Sequence, residues 1–157
     1  MDRFLLHVAI EQPSVENEKR IMQLVRGEES ASGEIPEAVS QDVVLKARGE
    51  VRKVGMADAV DNYIVALIGA TREPAAYGEN LGRWIRVGAS PRGSIALDRT
   101  SRAHAWLQGR DHVSPDDVRA VAPDCLRHRI ILSYEANAEG VTADDVLDAL
   151  LQQVAVA

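Results

Sequence analysis

The residues best equipped for chemistry stand in the stretch GASPRGS, Gly88 to Ser94. Ser90 followed by Pro91 is a helix start: a side-chain cap, then a residue whose ring already holds a helical φ. Arg92 comes next, a fixed cation at the positive end of a helix dipole. That placement costs a few tenths to about 1 kcal/mol unless an anion lies nearby. A phosphate at this mouth would meet the guanidinium, the dipole and the free N–H groups of the first turn together. Gly93 removes bulk where a ligand or a second backbone would come close. The same pattern also fits a surface arginine bonded to a neighbouring acid or carbonyl, and the residues alone leave both readings open.

Other constellations carry less. Cys125 and His128, three apart, could offer two metal ligands on one helical turn, but His104 and His112 have no matching spacing and two ligands do not make a site, so no metal is predicted. Cys125 without a paired base reads as a buried small hydrophobe. Asp116 with Asp117, and Asp144 with Asp145, fall in helical first turns, where acids stabilise the dipole and sequence neighbours do not face each other. Trp84 and Trp106 read as core or interface anchors. Arg83, Arg86 and Arg92 form one local basic run. The sequence holds no G-x-x-x-x-G-K-[ST] phosphate loop and no strand ending in paired acids for Mg²⁺, so it cannot assemble phosphoryl-transfer catalysis by itself.

Composition narrows the partners. Eighteen basic against 24 acidic residues give a net charge of -6. Such a balance argues against general binding to nucleic acid or to an anionic membrane surface. A single cysteine forms no internal disulfide and fits a reducing cytoplasm. The opening MDRFLLHVAIEQPS lacks the basic lead-in and cleavage site of a signal peptide, and no window approaches a membrane span. A soluble cytoplasmic domain is expected.

The elements that must position Arg92 are helical. Leu5–Ile10 is a short apolar run that predicts a strand or extended segment, and Ser14 caps a helix with Val15, Ile21, Met22 and Val25 near one face. Residues 27–36 read as a loop or a linker. Ser40 opens a second helix, with Val44, Ala47 and Val51 on one face. The clearest core helix follows, with Val60, Tyr63, Ile64, Leu67 and Ile68 at helical spacing. Residues 71–85 show no period. The helix from Pro91 to about Gln108 stops at Gly109, and its expected buried sector holds Ile95, Ala96, Ala103, Trp106 and Leu107 together with Arg92 and Arg99, with Ala105 outside. Arg99 is then expected to pair with an acid of a neighbouring helix. Ser114-Pro115-Asp116-Asp117 starts another helix, which Pro123 should break or follow with a second short turn, and residues 129–134 read as extended or as a helix end. Thr142 caps a last helix whose stripe is Val146, Leu147, Leu150, Leu151 and Val154. Five or six helices and few strands predict an all-α bundle.

The run GASPRGSIALDRTSRAHAWLQGRDHVSPDDVRAVAPDCLRHRI, with the final helix beyond it, closely resembles the C-terminal part of MoxR-family AAA+ ATPases. The shared pattern is G-A-S-P-R-x-S, then G-R-D-x-V-x-P-D-D-V, then L-R-H-R-I. The opening D-R-F-L-L and P-S turn are similar to the segment that follows the ATPase core in that family, and the helix ADAVDNYIVALIGATR matches as well. Gly93 departs from the family's usual alanine. The resemblance implies a helical lid closing over ATP and Mg²⁺ held by a core domain, with residues 1–13 the end of that core and 14–157 the lid. It implies that Arg92, presented by Ser90 and Pro91, is the sensor 2 arginine contacting ATP phosphates. Arg3 stands where related families place an arginine finger acting on a neighbouring subunit, or else closes the core structurally. Partners would be the core, neighbouring subunits of a hexameric ring, and von Willebrand factor A domain proteins remodelled in chaperone-like fashion. Met1 directly on D-R-F suggests that the chain is a fragment with an artificial or mis-called start. The alternative is a standalone helical interaction module that has lost nucleotide coupling.

Overall fold

The computed structural model describes residues 2–28 and 38–156; most of the expected 27–36 loop lies outside them. Two compact units are distinguished, one of Ala9–Lys46 and one of Met1–Val8 with Ala47–Ala157. In the first, α1 (Val15–Glu28) begins where the Ser14 hydroxyl accepts from the Asn17 N–H at 3.3 Å. Its Val15, Ile21, Met22 and Val25 are all exposed. Helix α2 (Gln41–Val51) runs across the boundary between the units and buries no residue, so the faces expected on these two helices are not core faces.

The larger unit holds the core. Helix α3 (Asp58–Arg72) buries all five of its predicted stripe residues, Val60, Tyr63, Ile64, Leu67 and Ile68. Each such side chain contributes roughly 1.5–3 kcal/mol by leaving water. Next, a 3₁₀ turn (Pro74–Tyr77), α4 (Glu79–Trp84) and strand β1 (Ile85–Val87) fill the stretch that showed no period. Helices α5 (Pro91–Leu107) and α6 (Pro115–Leu126) form the most extensive pair. Strand β2 (Ile131–Leu132) runs antiparallel to β1, pairing Leu132 with Ile85 and Ile131 with Val87 across a bulge. The chain closes with α7 (Tyr134–Ala138) and α8 (Ala143–Gln153), where Val146, Leu147 and Leu150 are buried as predicted. The molecule is mostly helical, as expected; α4 and α7 are the short helices the period did not reveal.

Three local expectations are corrected. Residues 5–10 form no strand, which leaves the extended alternative, because no described strand offers them a ladder; Arg129 and Arg127 hold the carbonyls of Leu5 and His7 instead. Pro123 does not break α6. It falls in the last turn, and burial of Val121, Ala122, Cys125 and Leu126 outweighs the hydrogen bond its ring removes. Gly93 makes no room for a ligand: it is buried, and a Cβ there would lie 2.8 Å from Ile68 Cδ1.

Two polar knots fix the ends of α5. At its start, a Cβ on Gly88 would lie 2.3 Å from the Thr71 carbonyl oxygen, so only glycine permits the approach. Ala89 N–H donates to Thr71 Oγ1 (2.9 Å), and Arg72 Nε donates to the Ala89 carbonyl (2.8 Å). At its far end, Asp117 is almost fully buried and takes the Arg110 fork, His104 Nδ1 at 2.7 Å, and the Ser114 N–H and hydroxyl at 2.8 Å each. The Arg110 hydrogen bond holds the Asp117 carboxyl far below the usual carboxylate range, against the opposing pull of burial. The first-turn reading of Asp117 was therefore incomplete: it caps α6 and also ties that helix to α5.

Gly88→Ala is expected to destabilise the unit by at least about 2 kcal/mol through forced separation of α3 and α5, read as a fall in thermal midpoint. Asp117→Asn should cost about 1.5–3 kcal/mol in urea unfolding. Because the folded-state pKa of Asp117 is depressed, its contribution is full above the unfolded value of about 4 and is lost as pH falls below it. The difference between wild type and Asp117→Asn should accordingly shrink in acid.

Candidate functional site

The mouth of α5 is built one residue at a time. With Ala89 pinned, Ser90 turns extended (φ -74°, ψ 170°) and its hydroxyl accepts from the Arg92 N–H at 3.2 Å. Pro91 supplies the first helical position, as predicted. The Ser90 hydroxyl also faces the Asp2 carboxylate, at 3.0 and 3.2 Å. Arg92 Nη1 lies 4.0 Å from Asp2, with 57% of its side chain exposed. A pair so long and so wet contributes little, and it leaves the guanidinium donors open.

These residues edge a hollow of about 400 Å³ lined by Asp2, Arg3, Leu5, Arg92, Ile95, Ala96, Arg99 and Arg129. Four arginines line it against a single aspartate, in a chain of net charge -6, and Arg3, Arg92 and Arg99 are the exposed ones. Asp2 and Ser90 belong to its rim, and Arg3 and Arg92 share it. The surface can attract a multiply charged anion, with fork-shaped donors suited to phosphate oxygens.

The structure revises the expected face of α5. Its buried residues are Gly93, Ala96, Leu97, Ser101 and Ala105, while Ile95 and Leu107 are half or more exposed. Arg92, Ile95 and Arg99 thus form a stripe facing the hollow, not the core. Arg99 is exposed and has no ion-pair partner among the described residues, contrary to the pairing expected of it. The basic cluster also differs from the run in sequence. Arg83 pairs with Glu139 at 2.5 Å, and Arg86 does not line the hollow.

Sequence reasoning missed Arg129. It belongs to L-R-H-R, whose members each do something different. Leu126 enters the core; Arg127 Nε reaches Asp144 at 3.0 Å; His128 Nε2 donates to the Phe4 carbonyl at 3.1 Å; Arg129 grips residues 2–5. Burial pushes His128 below its ordinary pKa and raises the Cys125 thiol above its own. Cys125 lies wholly inside the core, away from any reactive position. The tryptophans are partly buried against the core, with indole N–H groups on Glu139 and Glu50 at 3.0 Å each.

Comparison with known proteins decides the family. Residues 82–150 match the model of the AAA lid domain. The chain is 34% identical over 156 residues to the chaperone MoxR1 of Mycobacterium tuberculosis, covering 99% of this chain and 41% of that protein. It is 35% identical over 153 residues to the protein MoxR of Paracoccus denitrificans, covering 89% of this chain and 45% of that protein. This is a lid region of the MoxR type. A solved structure of a candidate ATPase from Cytophaga hutchinsonii superposes with a TM-score of 0.89 at 37% identity, over 99% of this chain and 47% of that one. The lid region spans less than half the length of each of these relatives. Among the described residues, no helix is long and apolar enough to cross a membrane.

Ser90→Ala should cost about 0.5–2 kcal/mol of unfolding free energy through loss of the α5 cap. Arg92→Ala should change stability by less than about 0.5 kcal/mol, since its one ion contact is long and exposed. A larger loss, measured by chemical denaturation, would make Arg92 a structural residue and remove it from the site.

Proposed function

We propose that this chain closes over ATP bound by an ATPase core and couples nucleotide state to chaperone-like remodelling of partner proteins. The observation that carries the reading is the hollow at the α5 mouth, where Arg92 holds open donors at the positive end of a helix dipole. In this reading Arg92 is the sensor 2 arginine, aimed at the phosphates by Ser90 and Pro91. The residues present fit a phosphate group: guanidinium forks, a capped helix start and a near-absence of competing acid. They do not supply a Mg²⁺ cage, because Asp2 is already engaged by Ser90 and Arg129. Magnesium ligands, phosphate loop and water-positioning acid would come from the core, consistent with their absence from this sequence.

The domain reading follows. Residues 1–13 end the core and 14–157 form the lid, within a ring, hexameric in this proposal, whose neighbouring subunits are the first partners. Arg3 is the candidate arginine finger, and von Willebrand factor A domain proteins are the candidate substrates, handled in the cytoplasm without nucleic acid or membrane.

Two measurements test the reading. The 157-residue chain should not hydrolyse ATP above background. In the ATPase assembled with its core, Arg92→Ala should lower turnover about tenfold to a hundredfold, the worth of a charge-assisted hydrogen bond of roughly 1.5–3 kcal/mol. Unchanged turnover in that variant would refute the phosphate-sensing role.

A further inference from the structure

Arg129 has only 2% of its side chain exposed. A guanidinium buried to that degree must find acceptors for its five N–H groups. Nη1 donates to the Leu5 carbonyl at 3.3 Å and to that of Cys125; Nη2 donates to the Phe4 carbonyl at 2.5 Å and the Asp2 carbonyl at 3.3 Å. Nε makes no hydrogen bond and lies 3.4 Å from Asp2 Oδ1. Three of the four carbonyls belong to the four-residue stretch that carries Arg3. The carboxylate of Asp2 then reaches on to Ser90 and Arg92 at the α5 mouth.

Arg3 makes no ion pair among the described residues, so nothing about its own side chain holds it at the hollow. Its placement comes from the backbone on either side, and that backbone is held by Arg129. We propose that Arg129 is a positioning residue: it seats Asp2–Leu5 against the mouth of α5, so that Arg3 and Arg92 are held at one anion-attracting hollow on a single rigid unit. The proposal rests on the ATP reading for the identity of the anion that Arg92 meets. An arriving phosphate would compete with the Asp2 carboxylate for Ser90 and Arg92, and any shift of Asp2 is passed to Arg3 one residue away. A lysine cannot replace the clamp, since one ammonium does not reach carbonyls spread across a planar fork.

The seating is tested in this chain by trypsin cleavage at the Arg3–Phe4 bond, followed by mass spectrometry. Arg129→Lys should be cut about tenfold faster or more, as a segment that opens locally is, with the helical circular dichroism unchanged. An unchanged rate overturns the seating. Should Arg129→Lys not fold, the chain lacking residues 2–5 gives the same test from the other side. The Arg129 Nη protons, buried and hydrogen-bonded in the intact chain, should then exchange about tenfold faster or more by NMR, and an unchanged exchange rate overturns the proposal. The coupling is tested in the ATPase assembled with its core, where Arg129→Lys should lower kcat about tenfold or more while KM for ATP stays within about threefold. If Arg92→Ala lowers turnover and Arg129→Lys does not, the coupling fails and the ATP reading stands. If Arg92→Ala is itself without effect, the ATP reading fails, and the trypsin result judges the seating independently.

Discussion

The contact between Gly88 and the last turn of α3 governs everything downstream of it. Thr71 Oγ1 donates to the Ile68 carbonyl at 2.7 Å and accepts from Ala89, so one hydroxyl closes α3 and docks the next segment. Arg72 takes the remaining backbone group of Ala89. With both polar groups of Ala89 satisfied by α3, the chain has one exit, through extended Ser90 into Pro91. A helix turns about 100° per residue, so starting α5 one residue early or late would swing Arg92 away from the hollow. The arginine's position is therefore set by a glycine four residues before it.

The far end of α5 is held as firmly by a different device. Asp117 is a buried carboxylate that would be costly alone, and Arg110, His104 and Ser114 together make its burial tolerable. Between the two ends, Arg102 Nε meets Asp98 at 2.9 Å and its Nη1 binds the Val54 carbonyl, tying the helix to the segment before α3. A helix anchored at its start, middle and end moves as one piece. That rigidity is what a lid helix needs if a force applied at Arg92 is to be felt elsewhere.

Legibility in the sequence followed side-chain size. The α3 and α8 stripes were readable because large apolar residues recur at helical spacing and all but the partly buried Leu151 go inside. Helix α5 misled because four of its five buried residues, Gly93, Ala96, Ser101 and Ala105, are small and carry almost no hydrophobic signal. Its larger Ile95 and Leu107 face outward and drew the expected sector to the wrong side. The motif itself was legible: Ser90 caps, Pro91 starts, and Arg92 stands at the mouth. Of the cluster around it only Arg99 was legible, sharing a helix sector with Arg92; Arg3 and Arg129 join it through tertiary contacts, that of Arg129 with Asp2 spanning more than a hundred residues. L-R-H-R did offer a signal, since two arginines flanking a buried turn require acceptors that the turn cannot supply.

The charge pattern makes the final connection between fold and anion. A net charge of -6 repels phosphate at long range, so capture must rely on a local field. The hollow supplies one by removing acids from the neighbourhood of four arginines and spending them elsewhere: Asp117 on Arg110, Asp144 and Asp124 on Arg127, Glu139 on Arg83. Asp2 is the exception, and its geometry is informative. It sits close enough to Ser90 and Arg129 to limit the mutual repulsion of the cluster, yet 4.0 Å from Arg92, too far to occupy the fork. A carboxylate so placed stabilises the arrangement while leaving its outermost cation available. An acid in direct bidentate contact with Arg92 would stabilise the chain more and close the site.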